Sequence, residues 1–519
     1  MIKAAAGIAL ADVVRELSVD ARIEGDASVR VLGVQQDSRR VEAGDLFVAR
    51  SGAHAHGAQF VADARGRGAV AVLSDAATAV PAGMPVIRVV DVPRALAFAA
   101  AAVYGHPSFS LEVVGITGTN GKTTTAHLVR AAVDGALGAP RCGIIGTVGH
   151  AYEDLRFEAA HTTPEPDELA RVLASFRDRG ASHVAMEVSS IALATGRVRA
   201  VRFRVAAFTN LTQDHLDFHG TMESYAASKA ELFTDYAPGV AVVHVDDPFG
   251  RELAKKVPSP LVRVSTRIGG AEPADIAPTS LKLTERGIEL VLRTPQGEMA
   301  VTSRLIGAHN VENLVVALGV VHALELDLHR ASAALAKEPG APGRLERCED
   351  PEDDVTVLVD YAHTPDALSR ALDAVRPFAH GRVLCVFGCG GDRDKTKRAP
   401  MGRAAAERAD VVVVTNDNPR GEGPEAIAAS ILEGIEAAGL PSVGEGGLRP
   451  AGRGFAVMLD RAAAIRAAVR AAGKGDVVLI AGKGHESYQI VGDDRRAFDD
   501  RAHARAALQE RRRSVSKAS

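Results

Sequence analysis

The sequence predicts an α/β protein of about three domains. The chain has 519 residues, of which 46% are hydrophobic and 24% are charged, a globular composition too long for a single core. Short apolar runs alternate with helical stretches along most of the chain, which is typical of parallel sheets. One turn between an apolar run and a helix reads GTNGKTTT, at 118–125, and indicates a site for nucleotide phosphates.

The first region, residues 1–110, predicts a small N-terminal α/β domain. Apolar runs at 46–49, 70–73 and 86–90 are separated by turns rich in Gly and Asp. An alanine-rich helix is expected at 94–103, and a Gly-His-Pro breaker follows it.

The second region, residues 111–345, predicts a central P-loop ATPase-like domain with a mainly parallel sheet. The apolar run at 113–116 enters the phosphate turn, and helices and strands alternate after it. The expected elements are a helix at 166–179 and strands at 182–188, 204–209 and 239–245.

The third region, residues 346–519, predicts a C-terminal domain with a dinucleotide-fold-like sheet, in which ligands bind at the carboxyl ends of the strands. The expected strands are at 355–361, 382–388, 410–415 and 476–481, and the expected helices at 365–375, 401–409, 425–435 and 461–472.

The phosphate turn carries a shortened form of the usual P-loop. Gly118 and Gly121 let backbone N–H groups approach phosphate oxygens, Lys122 reaches the outer phosphates, and the Thr123 hydroxyl can bind Mg²⁺. A standard P-loop has a glycine five positions before Gly121, where this chain has Ile116. The alternative is a strand, turn and helix without a ligand, but Gly, Lys and three threonines rarely coincide there by accident.

Four polar segments follow the phosphate turn, each expected where an apolar strand ends, at one sheet edge. They read HTTPEP at 161–166, MEVSS at 186–190, NLTQDHLDFHG at 210–220 and SKAELF at 228–233. Glu187 and His215, with Thr123, could supply oxygen and nitrogen ligands to magnesium near the phosphates. The alternatives are a solvated strand end for Glu187, a turn for His215 and an exposed helix face for Lys229.

Composition narrows the function classes. The net charge of −4 and the pI near 6.5 show no basic excess, so nucleic acid is not expected as the partner. The sequence has no 18-residue uncharged apolar run, which argues against membrane insertion. Four scattered cysteines, at 142, 348, 385 and 389, indicate a reducing compartment, and we expect a soluble cytoplasmic protein.

Ten motifs occur in the order seen in the Mur ligase family, which the chain resembles over nearly its whole length, most weakly over residues 1–100. They are GTNGKTTT, HTTP, EVSSIAL, NLTQDHLDFHG with SKAELF, GAHNVENLVVAL, GRLE, DYAHTPDAL, GGDRDKTKR, DNPR and GKGHE. The resemblance implies the three-domain Mur ligase architecture, whose domains bind in turn the UDP substrate, ATP and the amino acid.

The resemblance also implies an ATP-dependent amide-bond ligase of peptidoglycan precursor synthesis. The D-glutamate carboxylate of UDP-N-acetylmuramoyl-L-alanyl-D-glutamate takes the γ-phosphoryl group of ATP. The amine of the incoming amino acid, expected to be meso-2,6-diaminopimelate, then attacks the acyl phosphate. Mg²⁺ is the implied cofactor, and the expected protein is a monomer that acts on these small molecules.

The implied catalytic residues are Lys122, Lys229 and His215. Family members carry a carbamylated lysine that supports a second Mg²⁺, which SKAELF aligns with Lys229; the implied metal site comprises Thr123, Glu187, His215 and Lys229. The implied ATP-binding residues are Gly118, Thr119, Asn120, Gly121, Lys122, Thr123, Thr124, Asn310, Arg344, Asp360 and His363. A helix-capping turn residue is the alternative for His363.

For the nucleotide-sugar substrate, the resemblance implies Ser38 at the uridine end. It implies Thr162, Thr163, Ser189 and Arg197 around the muramoyl peptide, since hydroxyls and a guanidinium suit carboxylate and amide oxygens. The chain departs from the family pattern at two positions, with His56 where relatives commonly carry Asp and Ile191 where His is frequent.

The DNPR segment at 417–420 is expected to select the amino acid. Pro419 fixes the backbone, Asp417 and Asn418 can take an ammonium, and the Arg420 fork can take a carboxylate. Diaminopimelate offers both groups at its far end, whereas lysine lacks the carboxylate. The resemblance adds Arg393, Gly482 and Glu486 to this pocket. For DNPR alone, a surface turn before a helix is an equal alternative.

Three rival functions remain at this point. A folylpolyglutamate synthetase and a lysine-adding muramoyl ligase belong to the same superfamily, and the DNPR and HTTP motifs argue against both. A nucleotide-binding regulator without turnover would not need the polar residues at 187, 215 and 229.

Overall fold

A computed structural model describes residues 7–50, 57–75, 78–270, 273–284, 287–350, 352–444, 448 and 452–518, with side chains to residue 513. His56, one of the two departures from the family pattern, lies outside these residues. The chain divides into two compact units. The first comprises the described parts of Met1–Leu281, Leu290–Val301 and Val311–Ala336, and the second those of Lys282–Glu289, Thr302–Asn310 and Lys337–Ser519.

The first part of unit one contains a five-stranded sheet in the order β2-β7-β6-β5-β4, parallel except for its edge strand β2, and a two-stranded ribbon, β1-β3. Its elements are β1 (Ile8–Ala9), α1 (Leu10–Glu16), β2 (Ala21–Glu24), β3 (Arg30–Val31), β4 (Gly33–Gln35), β5 (Asp45–Ala49), α2 (Val61–Gly66), β6 (Ala71–Ser74), β7 (Val86–Val89) and α3 (Val92–Val103). The predicted helix at 94–103 is therefore α3, which begins two residues earlier because Asp91 caps it and Pro93 fits its first turn.

The larger part of unit one contains an eight-stranded sheet in the order β11-β10-β9-β12-β8-β13-β14-β15. Its elements are β8 (Glu112–Thr117), α4 (Lys122–Leu137), β9 (Cys142–Gly146), β10 (Gly149–Tyr152), β11 (Leu155–Phe157), α5 (Pro166–Asp178), β12 (His183–Glu187), α6 (Ser190–Ala194), β13 (Val205–Phe208), α7 (Leu216–His219), α8 (Met222–Thr234), β14 (Val240–His244), α9 (Pro248–Lys256) and β15 (Leu261–Val264).

Six of these strands are parallel, as predicted, and β10 and β11 form an antiparallel hairpin at the edge. The expectation that HTTPEP and SKAELF each begin where a strand ends was wrong. A loop separates HTTPEP from β11, which ends at Phe157, and SKAELF lies within α8. Strand β8 lies between β12 and β13, so the phosphate turn, Glu187 and Asn210 follow three neighbouring strands at one sheet edge.

A three-stranded sheet and two helices complete the middle of the chain. They are β16 (Ala277–Thr284), β17 (Gly287–Thr294), β18 (Gly297–Ser303), α10 (His309–Ala323) and α11 (Leu328–Leu335).

Unit two contains a six-stranded sheet in the order β19-β20-β24-β21-β22-β23, parallel except for β19, and a hairpin, β25-β26. Its elements are β19 (Glu346–Arg347), β20 (Thr356–Asp360), α12 (Pro365–Val375), β21 (Val383–Phe387), α13 (Arg398–Arg408), β22 (Val411–Val414), α14 (Pro424–Ala437), β23 (Gly454–Val457), α15 (Arg461–Ala471), β24 (Val477–Ala481), β25 (Tyr488–Val491), β26 (Asp494–Ala497) and α16 (Asp500–Ala518).

The predicted third-region strands and helices are all present. The helix predicted at 401–409 begins three residues earlier because Pro400 is tolerated within its first turn. All four cysteines are buried and form no disulfide. Within the described residues, no helix is long and apolar enough to cross a membrane.

Candidate active site

The phosphate turn depends on two glycines that no larger residue could replace. Gly118 has φ 152° and Gly121 has φ 85°, both in the region that favours glycine. A Cβ on Gly118 would overlap the Thr209 hydroxyl, and one on Gly121 would overlap the Asn313 side-chain oxygen. The same Asn313 oxygen accepts a hydrogen bond from the Thr125 hydroxyl at 3.1 Å, so α4 and α10 are joined directly beside the turn.

The tip of the turn is fastened to the segment after β13. The Asn120 amide donates to Asn210 Oδ1 at 3.0 Å, and the Thr209 hydroxyl donates to the Asn120 carbonyl at 2.7 Å. Behind this contact, Asn210 Nδ2 donates to Glu312 Oε1 at 2.6 Å. The two bonds to Asn120 fix the turn through neutral amide and hydroxyl groups.

Two lysines converge on one carbonyl of the turn. Lys122 Nζ and Lys229 Nζ each donate to the Gly118 carbonyl at 2.8 Å, and Lys122 also donates to Thr119 at 2.9 Å. Lys229 is 1% exposed, so its alternative interpretation as part of an exposed helix face was wrong. Burial, together with the neighbouring Lys122, lowers the pKa of Lys229 well below its usual range, and Asp214 opposes this shift.

Tyr225 organises the other side of Lys229. The Lys229 ammonium lies 4.5 Å from the centre of the Tyr225 ring, and the Tyr225 hydroxyl is 3.1 Å from the Thr119 hydroxyl. The ring of His215 is 6.2 Å from the same tyrosine ring, and its side chain is 43% exposed beside Asp214. His219, which the sequence analysis left out, contacts Tyr225 and lies 3.0 Å from the Ser190 hydroxyl.

Glu187 joins the phosphate turn to the predicted peptide-binding residues. Its Oε2 accepts from the Thr123 hydroxyl at 2.9 Å and from the Thr147 hydroxyl at 3.2 Å, and its Oε1 accepts from the Thr147 amide at 2.8 Å. Its backbone carbonyl accepts from the Thr163 hydroxyl at 2.9 Å. Glu187 is 1% exposed, which excludes a solvated strand end.

The four residues predicted around the muramoyl peptide lie together in unit one. Thr162 Oγ1 is 3.1 Å from Thr147 Oγ1, the Ser189 amide donates to Thr163 Oγ1 at 3.0 Å, and Arg197 donates to the Thr163 carbonyl at 3.1 Å. Arg197 also pairs with Glu165 at 2.9 Å, and its buried Nε has no hydrogen-bond partner among the described residues.

The segment that carries Ser38 is attached to the same loop. Glu165 also pairs with Arg50 at 3.2 Å, and Gln36 donates to Asp167 at 2.7 Å. Ser38 is buried in a short 3₁₀ turn two residues beyond Gln36. Glu165 and Asp167 were absent from the predicted site residues, although the HTTPEP motif contains one of them.

The described oxygen donors fit magnesium in part. Thr123 and Glu187 provide the hydroxyl and carboxylate oxygens that Mg²⁺ prefers. Lys229 as an amine does not, whereas a carbamate on Lys229 would. Over the part of the chain that the structure describes, no group of three or more His, Cys, Asp or Glu side chains could hold a metal.

Two of the predicted nucleotide residues of unit two lie against the ring of Tyr361. The Arg344 guanidinium lies 4.5 Å from the Tyr361 ring centre, and the His363 ring lies 4.6 Å from it. Asp360 accepts from the Leu345 and Ala362 amides, both at 2.8 Å. Asn310, also in unit two, donates to the Ile306 carbonyl at 2.8 Å. The cap of α12 is Thr364, not His363.

The DNPR loop follows β22 and faces the loops after β21 and β24. Asn418 Nδ2 donates to Glu486 Oε2 at 3.0 Å, Arg420 donates to the Gly391 carbonyl at 2.9 Å, and the Gly391 amide donates to the Asn418 carbonyl at 2.9 Å. The other predicted members of this pocket adjoin these contacts: a Cβ on Gly390 would be 3.7 Å from Arg393 Cγ, and one on Gly482 would be 3.9 Å from Asp417 Cγ.

Sequence reasoning missed the buried charges behind this loop. Lys483 is fully buried between Asp417, Asn418 and Glu486. Arg461 pairs with Asp500 at 2.7 Å, both fully buried. Arg461 also donates to the Asn416 carbonyl at 3.1 Å and the Ala481 carbonyl at 2.9 Å, so one guanidinium fixes two loops. The only signal was the lysine of GKGHE, and Arg461 and Asp500 stand in no recognised motif.

Comparison with known proteins decides the family. Residues 30–104 match the Mur ligase family catalytic domain, 116–321 the Mur ligase middle domain, and 343–484 the Mur ligase glutamate ligase domain. A Gloeobacter violaceus protein named UDP-N-acetylmuramoyl-L-alanyl-D-glutamate–2,6-diaminopimelate ligase is 46% identical over 486 residues, covering 93% of this chain and 95% of the relative. The chain belongs to the Mur ligase family.

Other Mur ligases agree with this assignment. A Streptomyces coelicolor relative with the same name is 45% identical and covers 96% of both chains. A solved structure of a ligase with that name matches with a TM-score of 0.68 and 32% identity, covering 98% of this chain and 99% of the other. The fold is also similar to MurF of Thermotoga maritima in complex with ADP, at a TM-score of 0.59 and 20% identity over 94% of this chain and 98% of the other. The three-domain Mur ligase fold predicted from the sequence is thus confirmed.

Proposed function

We propose that this Mur ligase adds meso-2,6-diaminopimelate to UDP-N-acetylmuramoyl-L-alanyl-D-glutamate in an ATP-dependent reaction of peptidoglycan precursor synthesis. The long, high-identity relatives carry that name. The observation that carries the mechanism is Glu187, which hydrogen-bonds the Thr123 hydroxyl through its side chain and the Thr163 hydroxyl through its backbone. A substrate carboxylate bound near Thr163 would therefore lie close to phosphates bound at the turn.

In the first step, a D-glutamate carboxylate oxygen attacks the γ-phosphorus and ADP leaves. In the second step, the diaminopimelate amine attacks the acyl carbon, inorganic phosphate leaves and the amine loses a proton. The first step brings two anions together, and their repulsion is large in a poorly solvated site. Lys122 would offset it by moving its Nζ from the turn carbonyls to the phosphate oxygens. Bound Mg²⁺ would neutralise further phosphate charge.

Lys229 is proposed to carry a carbamate. Carbamylation requires the neutral amine, because only that form has a lone pair to attack carbon dioxide. The lowered pKa of Lys229 supplies the neutral form. Carbamylation of this neutral amine would create an anion and add an oxygen donor to those of Thr123 and Glu187, which already suit magnesium. His215 is proposed as the nitrogen ligand.

The remaining predicted residues keep the roles proposed for them. The uridine end of the substrate would contact Ser38, and its peptide would contact Thr162, Thr163, Ser189 and Arg197. ATP would bind at the phosphate turn and would also contact Asn310, Arg344, Asp360 and His363. Diaminopimelate would bind in the pocket around DNPR. Domain boundaries at 110 and 345, a monomeric state and a cytoplasmic location stay predictions.

Phosphate release tests the proposed function directly. Purified protein with ATP, Mg²⁺ and the UDP-dipeptide should release phosphate rapidly with diaminopimelate and far more slowly with lysine. A lysine-adding ligase would reverse that preference, a folylpolyglutamate synthetase would need a folate substrate, and a nucleotide-binding regulator would show no substrate-dependent release.

A further inference from the structure

The amino-acid pocket contains a buried cation that the proposed function does not use. Lys483 is 0% exposed, and its ammonium donates to Asn418 Oδ1 at 2.9 Å, to Asp417 Oδ1 at 3.3 Å and to Glu486 Oε2 at 3.3 Å. An ammonium has three N–H donors, so these three acceptors satisfy it completely. A cation this deeply buried persists only where carboxylates compensate it.

Lys483 determines how the Asn418 amide points. Asn418 Oδ1 accepts from Lys483 and from the Ile490 amide at 3.0 Å, so the amide nitrogen must face Glu486 Oε2. The Asn418 side chain is 3% exposed and cannot turn without losing these bonds. The lysine therefore fixes both Asn418 and Glu486.

The same bonds leave one oxygen of each carboxylate available. Among the described residues, no hydrogen bond ends on Asp417 Oδ2 or on Glu486 Oε1, whereas the opposite oxygens bind Lys483. An incoming ammonium needs such acceptors. Two carboxylates and one lysine also carry a net single negative charge, which matches one ammonium.

We propose, on the basis of the proposed function, that Lys483 is a positioning residue for the far-end ammonium of diaminopimelate. It holds Asp417 and Glu486 side by side, with one oxygen of each bound to its ammonium and the other oxygen open. Without it, the two carboxylates would repel each other and would no longer present their open oxygens together. The other charged or titratable groups near Lys483 and its two carboxylates include the Arg461–Asp500 pair, Tyr361, His363, Arg420 and Tyr488, whose ring centre is 5.6 Å from Nζ.

The test compares two lysines in the same Gly-Lys-Gly context. Lys483→Met removes the buried charge at nearly constant volume, and Lys474→Met is the matched control, because Lys474 stands between Gly473 and Gly475 and is exposed. Michaelis constants for diaminopimelate and for ATP are measured for both variants and the wild type, with melting curves on the same preparations.

We expect Lys483→Met to raise the KM for diaminopimelate roughly 30-fold or more, with the KM for ATP unchanged. Lys474→Met should behave as wild type throughout.

A double variant keeps the proposal testable if Lys483→Met does not fold. Lys483→Met with Asp417→Asn removes one charge of each sign, so it should fold, and its KM for diaminopimelate should be no higher than that of Asp417→Asn alone, because only one charged carboxylate remains. An unchanged KM for diaminopimelate in Lys483→Met would overturn the proposal, as would an equal loss in both Michaelis constants together with a lowered melting temperature. A wild-type protein that does not use diaminopimelate would instead refute the proposed function.

Discussion

The phosphate turn of unit one and the DNPR loop of unit two each follow the end of a strand. Different kinds of interaction fix the two loops. Amides and hydroxyls of Asn210, Thr209 and Asn313 fix the phosphate turn, and Lys122 and Lys229 donate to its carbonyls. Ion pairs and charged hydrogen bonds fix the DNPR loop, through Lys483 and Arg461. The proposed phosphate site thus keeps its lysines on carbonyls that a phosphate can replace, whereas the proposed amino-acid site pairs its lysine with carboxylates before a substrate binds.

The largest effect should come from the cation at the phosphate turn. Lys122→Ala should lower kcat by roughly a hundredfold to a thousandfold, because it removes a charged donor facing the transferred phosphoryl group. Lys255→Ala, on the exposed side of α9, is the control and should leave kcat unchanged. Steady-state kinetics and circular dichroism check this, and an unchanged kcat in a folded Lys122→Ala protein would refute the phosphate assignment.

Lys229→Ala should be nearly as damaging, since it would remove a metal-supporting carbamate. Bicarbonate should not restore activity, because the variant has no amine to carbamylate, whereas short carboxylic acids should restore part of it. Native mass spectrometry at neutral pH should find a carbon dioxide adduct on the wild type. A fully active variant and no adduct on the wild type would together exclude this role.

Arg420→Ala should change the amino-acid preference by a smaller factor. The guanidinium is partly exposed, so the loss should be near 2 kcal/mol, or about thirtyfold in the KM for diaminopimelate. The difference in KM between diaminopimelate and lysine should become smaller. Arg420→Lys should restore only part of this difference, because one ammonium cannot form the paired bonds. Arg496→Ala, exposed and paired with Asp494, is the control. Equal use of the two amino acids by the wild type would contradict the assignment.

The buried pair behind the DNPR loop should affect stability. Arg461→Met leaves Asp500 buried and unpaired, which should lower the free energy of unfolding by about 3–5 kcal/mol. Arg466→Met is the matched control on the same helix, because its partner Glu510 is exposed and surface pairs contribute about 0–1 kcal/mol. Chemical denaturation measures the free energy of unfolding of both variants. An equal decrease in the two would mean that the buried pair stabilises the protein no more than the exposed pair does.

The smallest effect should be a pH-dependent one near the phosphate turn. Burial disfavours the charged form of His244, but its hydrogen bond to Asp246 and the nearby Glu312 outweigh this and raise its pKa. The raised pKa means that the folded protein holds the proton more tightly. The stabilisation is therefore complete below the unfolded pKa of histidine and is lost as the pH rises through the folded one.

His244→Gln should therefore cost about 2 kcal/mol at pH 6 and less at pH 9. Unfolding measured at both values checks this. If the decrease in the free energy of unfolding were equal at pH 6 and pH 9, or larger at pH 9, the histidine would be neutral in the folded protein.

Contiguous motifs explain what the sequence could predict. GTNGKTTT and DNPR each follow an apolar strand, so the positions of these strands along the chain and of both loops were predictable. The hairpin β10-β11 was missed because its strands are short and contain glycine and charged residues. The burial of Lys229 and the partners of Lys483 and Arg461 depend on contacts between distant residues, which local patterns do not contain.

The fate of one oxygen atom tests the acyl phosphate most directly. The UDP-dipeptide is prepared with heavy oxygen in the D-glutamate side-chain carboxylate and incubated with ATP, Mg²⁺ and diaminopimelate. If that carboxylate attacks the γ-phosphorus, one heavy oxygen should appear in the inorganic phosphate for each amide bond formed. Amide formation with no heavy oxygen in the phosphate would contradict the proposed reaction.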